Sequence, residues 1–152
     1  MILELKTFLM AMTPIGELRL SIPFALENYN LSIWSVYFVS VLGNLAPAIF
    51  LLWFLNPISK YLSHHFYFFN RFFAWLFEKN KKNHQKKFEH WKELALIILV
   101  AIPLPFTGAW TGSICAFIFR IPFKIALPLI FIGILIAGLI VALLSLGLLH
   151  LF

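Results

Sequence analysis

Two ionisable side chains stand where the chain is otherwise apolar: Glu17 and Arg19, in the stretch Thr13-Pro14-Ile15-Gly16-Glu17-Leu18-Arg19. A carboxyl at such a place can carry a proton, and a guanidinium can balance it or contact an anion. A charge near the centre of a bilayer costs at least about 2.5–3.5 kcal/mol on insertion scales, so each group needs a partner. At spacing i, i+2 the two side chains leave a helix on different sides, and a direct ion pair requires non-helical backbone over 16–18. Otherwise Arg19 must find carbonyls elsewhere, and Glu17 must find amides at its own helix start or be protonated. The stretch Ile102-Pro103-Leu104-Pro105-Phe106-Thr107-Gly108-Ala109-Trp110-Thr111-Gly112-Ser113 can supply such groups, with Thr107, Trp110 and Thr111 expected to face the pair. Asn44 is a further polar residue in an apolar segment, suited to an interhelical hydrogen bond or a substrate contact.

Other chemistries find no support. The chain has no HExxH, no GxSxG and no Walker loop, and no second carboxyl near Glu17, so no enzyme activity and no cofactor are expected. His64, His65, His84 and His90 lack ligand spacing, and no metal site is expected. The single cysteine, Cys115, excludes an intrachain disulfide and reads as a packing residue.

The elements that must position Glu17 and Arg19 follow from composition. Of 152 residues, 62% are hydrophobic and 12% charged, with mean hydropathy +0.92; these values define an integral membrane protein. One membrane domain over 1–152 is expected. Residues 2–28 do not read as a cleavable leader, because Glu4 precedes Lys6 and Thr13-Pro14 follows the short apolar stretch.

Two stretches break in mid-course. In 94–119, Pro103 and Pro105 remove two backbone donors and disfavour helical angles in the residues before them. The break lies about 15 Å from Leu94, near mid-membrane for a ~30 Å core. Thr107 is expected to cap a returning half-helix, with Gly108 and Gly112 allowing close packing. In 3–28, Thr13 and Pro14 are expected to start a second half-helix, with Gly16 at the turn. Each stretch reads as a re-entrant helical hairpin. Broken backbone at that depth requires surrounding protein or a water-filled cavity, because lipid cannot satisfy its amides and carbonyls.

Between and after the breaks run two full spans, 31–55 and 125–149, each about 37 Å long at the helical rise. Residues 56–93 carry eight of the twelve basic residues against three acids. Over 60–78 the charges and aromatics segregate as in an interfacial amphipathic helix, and the basic stretch after it suits anionic lipid head groups rather than nucleic acid. The positive charge places this loop in the cytoplasm and both chain ends outside. Hairpins return to their side of entry, so the first enters from outside and the second from inside. Pro14 and Pro105 lie 91 residues apart, as do the span starts near Leu31 and Pro122. The fold class is thus all-α integral membrane, with two inverted repeats (1–55 and 94–152), an arrangement found in secondary transporters. Two spans and two hairpins shield broken backbone incompletely, which implies a homo-oligomer, in the first instance a dimer.

The motifs at 13–19, Ser21-Ile22-Pro23, Gly43-Asn44, Ala101-Ile102-Pro103-Leu104-Pro105 and Thr107–Gly112 resemble those of the putative small multidrug export proteins, within the wider DedA-like, VTT-domain group. Phe106 stands where that family more often has glycine. The resemblance implies a multi-pass protein of the bacterial inner membrane. Its first functional expectation is proton- or sodium-coupled export of a small solute from a site formed by Glu17, Arg19, Asn44, Thr107, Trp110 and Thr111. The alternatives are a DedA-like lipid scramblase or flippase and a non-transporting assembly protein.

Overall fold

The computed structural model describes residues 1–65, 71, 75, 85–104 and 107–149. Among these the regular elements are six helices: α1 (Ile2–Met12), α2 (Glu17–Tyr29), α3 (Ile33–His65), α4 (Gln85–Ala101), α5 (Ala109–Ile118) and α6 (Phe123–Leu149).

Local chemistry accounts for the ends. Thr13, ahead of Pro14, is extended at ψ 142° and stops α1, as a residue preceding proline should. Asn30 takes the left-handed conformation that ends α2 (φ 49°), one of the few side chains that does so at small cost. Ser32 Oγ accepts from the Ser35 amide and starts α3. Helix α5 closes with a Schellman motif: Arg120 has φ 54°, and the amides of Ile121 and Arg120 donate to the carbonyls of Ala116 and Phe117.

The packing has a repeated plan. Helix α1 lies chiefly on α3, and α4 chiefly on α6. Each contact is centred on a glycine: a Cβ on Gly43 would come within 2.5 Å of the Phe8 carbonyl, and one on Gly133 within 2.6 Å of Val100 Cβ. Helix α5 crosses to lie mainly against α3 of the other half, whereas α2 packs on α3 of its own half and also on α6. The long helices meet directly, where Tyr37 Oη donates to the Leu135 carbonyl at 3.0 Å and the Tyr37 ring lies over Gly138. Ile22, Val36, Val100, Ile130 and Ile134 are fully buried at these crossings.

Residues 33–55 of α3 and 123–147 of α6 are long and apolar enough to cross a membrane. Their outer faces expose Trp34, Phe38, Phe50 and Trp53 on α3, and Leu139, Leu143 and Leu144 on α6. In water such faces would be a large aggregation liability; in lipid they are solvated.

Four local expectations are corrected. Helix α2 starts at Glu17, and Pro14 to Gly16 form a turn. The Thr13 hydroxyl serves that turn by accepting from the Gly16 amide and donating to the Met10 carbonyl. Thr107 does not cap α5, whose cap residue is Gly108. Helix α3 continues through Pro57 to His65, because an α-helix outlives one lost hydrogen bond when its neighbours keep theirs. Helix α4 begins at Gln85, so part of the expected loop is helical and continuous with the apolar stretch that ends at Ala101, about 25 Å in all. Pro105, most of the expected interfacial helix over 60–78 and the basic stretch up to His84 lie outside the described residues.

Candidate functional site between the two helix turns

The 13–16 turn and the turn before α5 meet at Gly16, Glu17 and Gly108, which are buried, while Pro14, Ile15 and Leu104 are exposed, and the side chains of one complete the backbone of the other. Helix α5 presents free amides at its N-terminus and no side chain of its own segment caps them. The Glu17 carboxylate takes that place: it lies against Gly108, beside the Trp110 backbone amide in the first turn of α5. A carboxylate at a helix start is favoured by both the free amides and the helix dipole. The contact needs Gly108, whose φ of 135° suits glycine alone and whose Cβ, if present, would overlap the carboxylate.

Arg19 reaches the same turn from one helical step further on. Its Nη2 donates to the Thr107 carbonyl at 2.8 Å. That carbonyl stands just before α5, where the broken backbone leaves acceptors to satisfy. The Thr107 hydroxyl folds back on its own turn, donating to the carbonyls of Ile102 or Leu104 and accepting from the Leu104 amide. Trp110 closes the exchange in the opposite direction: its indole Nε1–H donates to the Met12 carbonyl at 3.1 Å, at the C-terminal end of α1. Glu17 therefore serves the start of α5, and Trp110 serves the end of α1.

Glu17 is held in this position at a conformational cost. It is 6% exposed and has φ 43°, a left-handed conformation that non-glycine residues seldom adopt and that costs of order 1–3 kcal/mol. Such an outlier persists only where the surroundings determine it, and here the Trp110 amide and Gly108 do so.

Behind the carboxylate is a small cavity of about 10 Å³, lined by Glu17, Arg19, Asn44, Thr107 and Gly108. Val100, Ala137 and Val141 supply apolar wall from α4 and α6. Asn44, one residue beyond the α1 contact at Gly43, is 1% exposed, and its Oδ1 has no hydrogen-bond partner. The structure thus brings together Glu17, Arg19, Asn44 and Thr107. It puts Trp110 at the rim through its amide and indole, while Thr111 is half-buried and outside the cavity lining. Pro103 lines the cavity and Gly112 packs against Val100 one turn away. Gly16 sits under the Thr13 hydroxyl at the first turn. The Met12 carbonyl and the α6 wall at Ala137 and Val141 were not legible as part of this site; the Ala137-Gly138 pair is the one small-residue signal pointing to a close approach there. No group of three or more His, Cys, Asp or Glu able to hold a metal occurs among the described residues.

Two helices long and apolar enough to cross a membrane, and two helix pairs whose turns meet around the buried Glu17, are consistent with a membrane protein. The family model of the "Putative small multi-drug export protein" matches residues 17–140. The chain belongs to that family, whose description names export and no enzymatic reaction. No curated protein and no solved structure matches it.

Proposed function

We propose that the protein is an ion-coupled exporter of small solutes, in which Glu17 carries the coupling proton and Arg19 holds the second turn in register or contacts an anionic group. The observation that carries this reading is the placement of Glu17: a buried carboxyl with a left-handed backbone, bound to the start of a helix from the other half of the chain. Protonation would weaken its hold on the α5 amides and dipole. The proton would then bias the docking of one turn against the other, which is the differential contact that an alternating transporter needs.

In this reading α1–α2 and α4–α5 are re-entrant hairpins entering from opposite sides of the bacterial inner membrane, with 56–93 in the cytoplasm against anionic lipid head groups. The crossed packing of α2 on α6 and α5 on α3 is what an inverted pair of repeats would produce. A dimer would cover the outer faces of the broken segments. Membership of the wider DedA-like group belongs to the same proposal.

The test is efflux from proteoliposomes with ethidium as the probe, under an imposed pH gradient. Gradient-dependent efflux that Glu17→Gln abolishes in folded protein is expected. Equal efflux with and without Glu17 would overturn the assignment. Movement of a fluorescent phospholipid without any gradient would instead establish a scramblase.

A further inference from the structure

The cavity behind Glu17 has a more specific chemistry than a solute site. Asn44 Oδ1 is an acceptor that faces no donor, although its residue is 99% buried, and such an atom costs about 1–3 kcal/mol unless something donates to it. The Glu17 carboxylate, on the same cavity, lies beside the Trp110 amide and has acceptor capacity to spare, with two oxygens and about four lone-pair sites. The remaining polar side chains at the wall are engaged elsewhere: Arg19 is a cation and directs Nη2 to the Thr107 carbonyl, and the Thr107 hydroxyl bonds its own turn at Ile102 and Leu104. The free space is about 10 Å³, about what one water-sized sphere requires.

These three conditions choose the occupant. Two acceptors call for a double donor, the volume limits it to one heavy atom, and the guanidinium opposes a second cation at close range. Sodium and ammonium fail the last condition, and a drug-sized solute fails the volume. We infer that the cavity is a binding site for one water molecule, which donates one hydrogen to Asn44 Oδ1 and the other to the Glu17 carboxylate. Glu17 and Arg19 are the charged groups on its wall, so this water is the nearest carrier for any proton entering or leaving Glu17. That last step rests on the reading of Glu17 as a proton carrier; the site itself does not.

The experiment is infrared difference spectroscopy on the full chain in lipid nanodiscs across a pH jump, in ordinary and in ¹⁸O-labelled water. The wild type should show a water O–H band that shifts with ¹⁸O. Glu17→Gln should move it, Asn44→Leu should remove it, and Asn44→Ser, which keeps an acceptor, should retain it. Absence of an ¹⁸O-sensitive band from the wild type, or its survival unchanged in Asn44→Leu, overturns the proposal. Should Asn44→Leu fail to fold, an experimental map of the wild type decides the matter: a single ordered density between Asn44 and Glu17 supports the site and an empty gap refutes it. Replacing choline chloride with sodium chloride should leave the band in place; a sodium-dependent loss would mean that a cation holds the cavity. Because the band is read without turnover, its presence in a protein whose ethidium efflux ignores Glu17 would refute the export reading alone. Its absence from a protein with Glu17-dependent efflux would refute the water site alone.

Discussion

The two helix pairs are alike in packing and unlike in chemistry. Each lays its first helix on a glycine of the long helix that follows, Gly43 under α1 and Gly133 under α4, and each second helix also touches the long helix of the other half, α5 more fully than α2. At the turns the likeness ends. The first turn contributes the charges, Glu17 and Arg19, whereas the second answers with the Thr107 carbonyl and the Trp110 amide. A repeated scaffold can therefore hold an asymmetric site, in which one half carries ionisable side chains and the other supplies fixed backbone dipoles.

The harshest break of this arrangement is Gly108→Ala. The φ of 135° belongs to a region that is essentially restricted to glycine, and the added methyl would occupy the position of the Glu17 carboxylate. A loss of about 3 kcal/mol or more is expected from strain and displacement together. In practice most of the protein should leave the folded peak in detergent chromatography. Normal yield and an unchanged thermal midpoint would mean that the two turns do not meet as described.

The next test weighs the glycines of the two halves against each other. An alanine at Gly43 would press on the Phe8 carbonyl and on Ala11 Cβ (2.8 Å), so the backbone of α1 must move away. At Gly133 the nearest atoms belong to the Val100 side chain, although the Ile97 carbonyl is 3.1 Å away. Overpacking of this kind costs about 1–3 kcal/mol, with Gly43→Ala expected at the upper end. Adding Val100→Ala removes Cγ1 at 2.8 Å but keeps Cβ at 2.6 Å, so it should recover a minor part of the Gly133→Ala loss and none of the Gly43→Ala loss. Equal rescue of both, measured by thermal unfolding, would refute the separation of the two contacts.

Arg19 supplies the third test. A hydrogen bond from a charged donor is worth about 1.5–3 kcal/mol, and Arg19→Gln should cost an amount in that range because its shorter amide cannot reach the Thr107 carbonyl. A double-mutant cycle with Thr107→Ala should show little coupling, since Arg19 bonds the carbonyl and not the hydroxyl. Coupling above about 1 kcal/mol would place the guanidinium on the Thr107 side chain instead.

How much of this could be read from residue order differs between the features. Glu17 and Arg19 stood out because charges in an apolar segment are rare, and the need of Arg19 for a distant carbonyl followed from i, i+2 geometry. The end of α4 beside Pro103 and the two long helices were legible from proline chemistry and from length. The real partner of Glu17 was not: its own helix start looked nearer, yet the carboxylate serves α5, a choice made by the fit of Gly108 against it. The continuation of α3 past Pro57 was hidden for a different reason. The expected span stops at 55 because the composition turns polar and basic there, but a change of composition does not itself end a helix.

The smallest effect belongs to Trp110, whose indole reaches from the second turn back to the first. Trp110→Phe removes the indole donor from the Met12 carbonyl and keeps most of the aromatic bulk. Side-chain hydrogen bonds inside membrane proteins average about 0.6 kcal/mol, since the unfolded chain in lipid also finds partners. A thermal shift near the limit of detection is therefore expected. The backbone amide of Trp110 is untouched by this substitution, so the contact with Glu17 should persist, and ethidium efflux should keep its dependence on the pH gradient. Trp110→Phe thus separates the two functions assigned to one residue. Small destabilisation with intact coupling would assign the indole to holding α1 and the amide to holding Glu17. Loss of coupling in a folded Trp110→Phe protein would show instead that the indole itself belongs to the working site, and the division between a charged turn and a backbone turn would no longer hold.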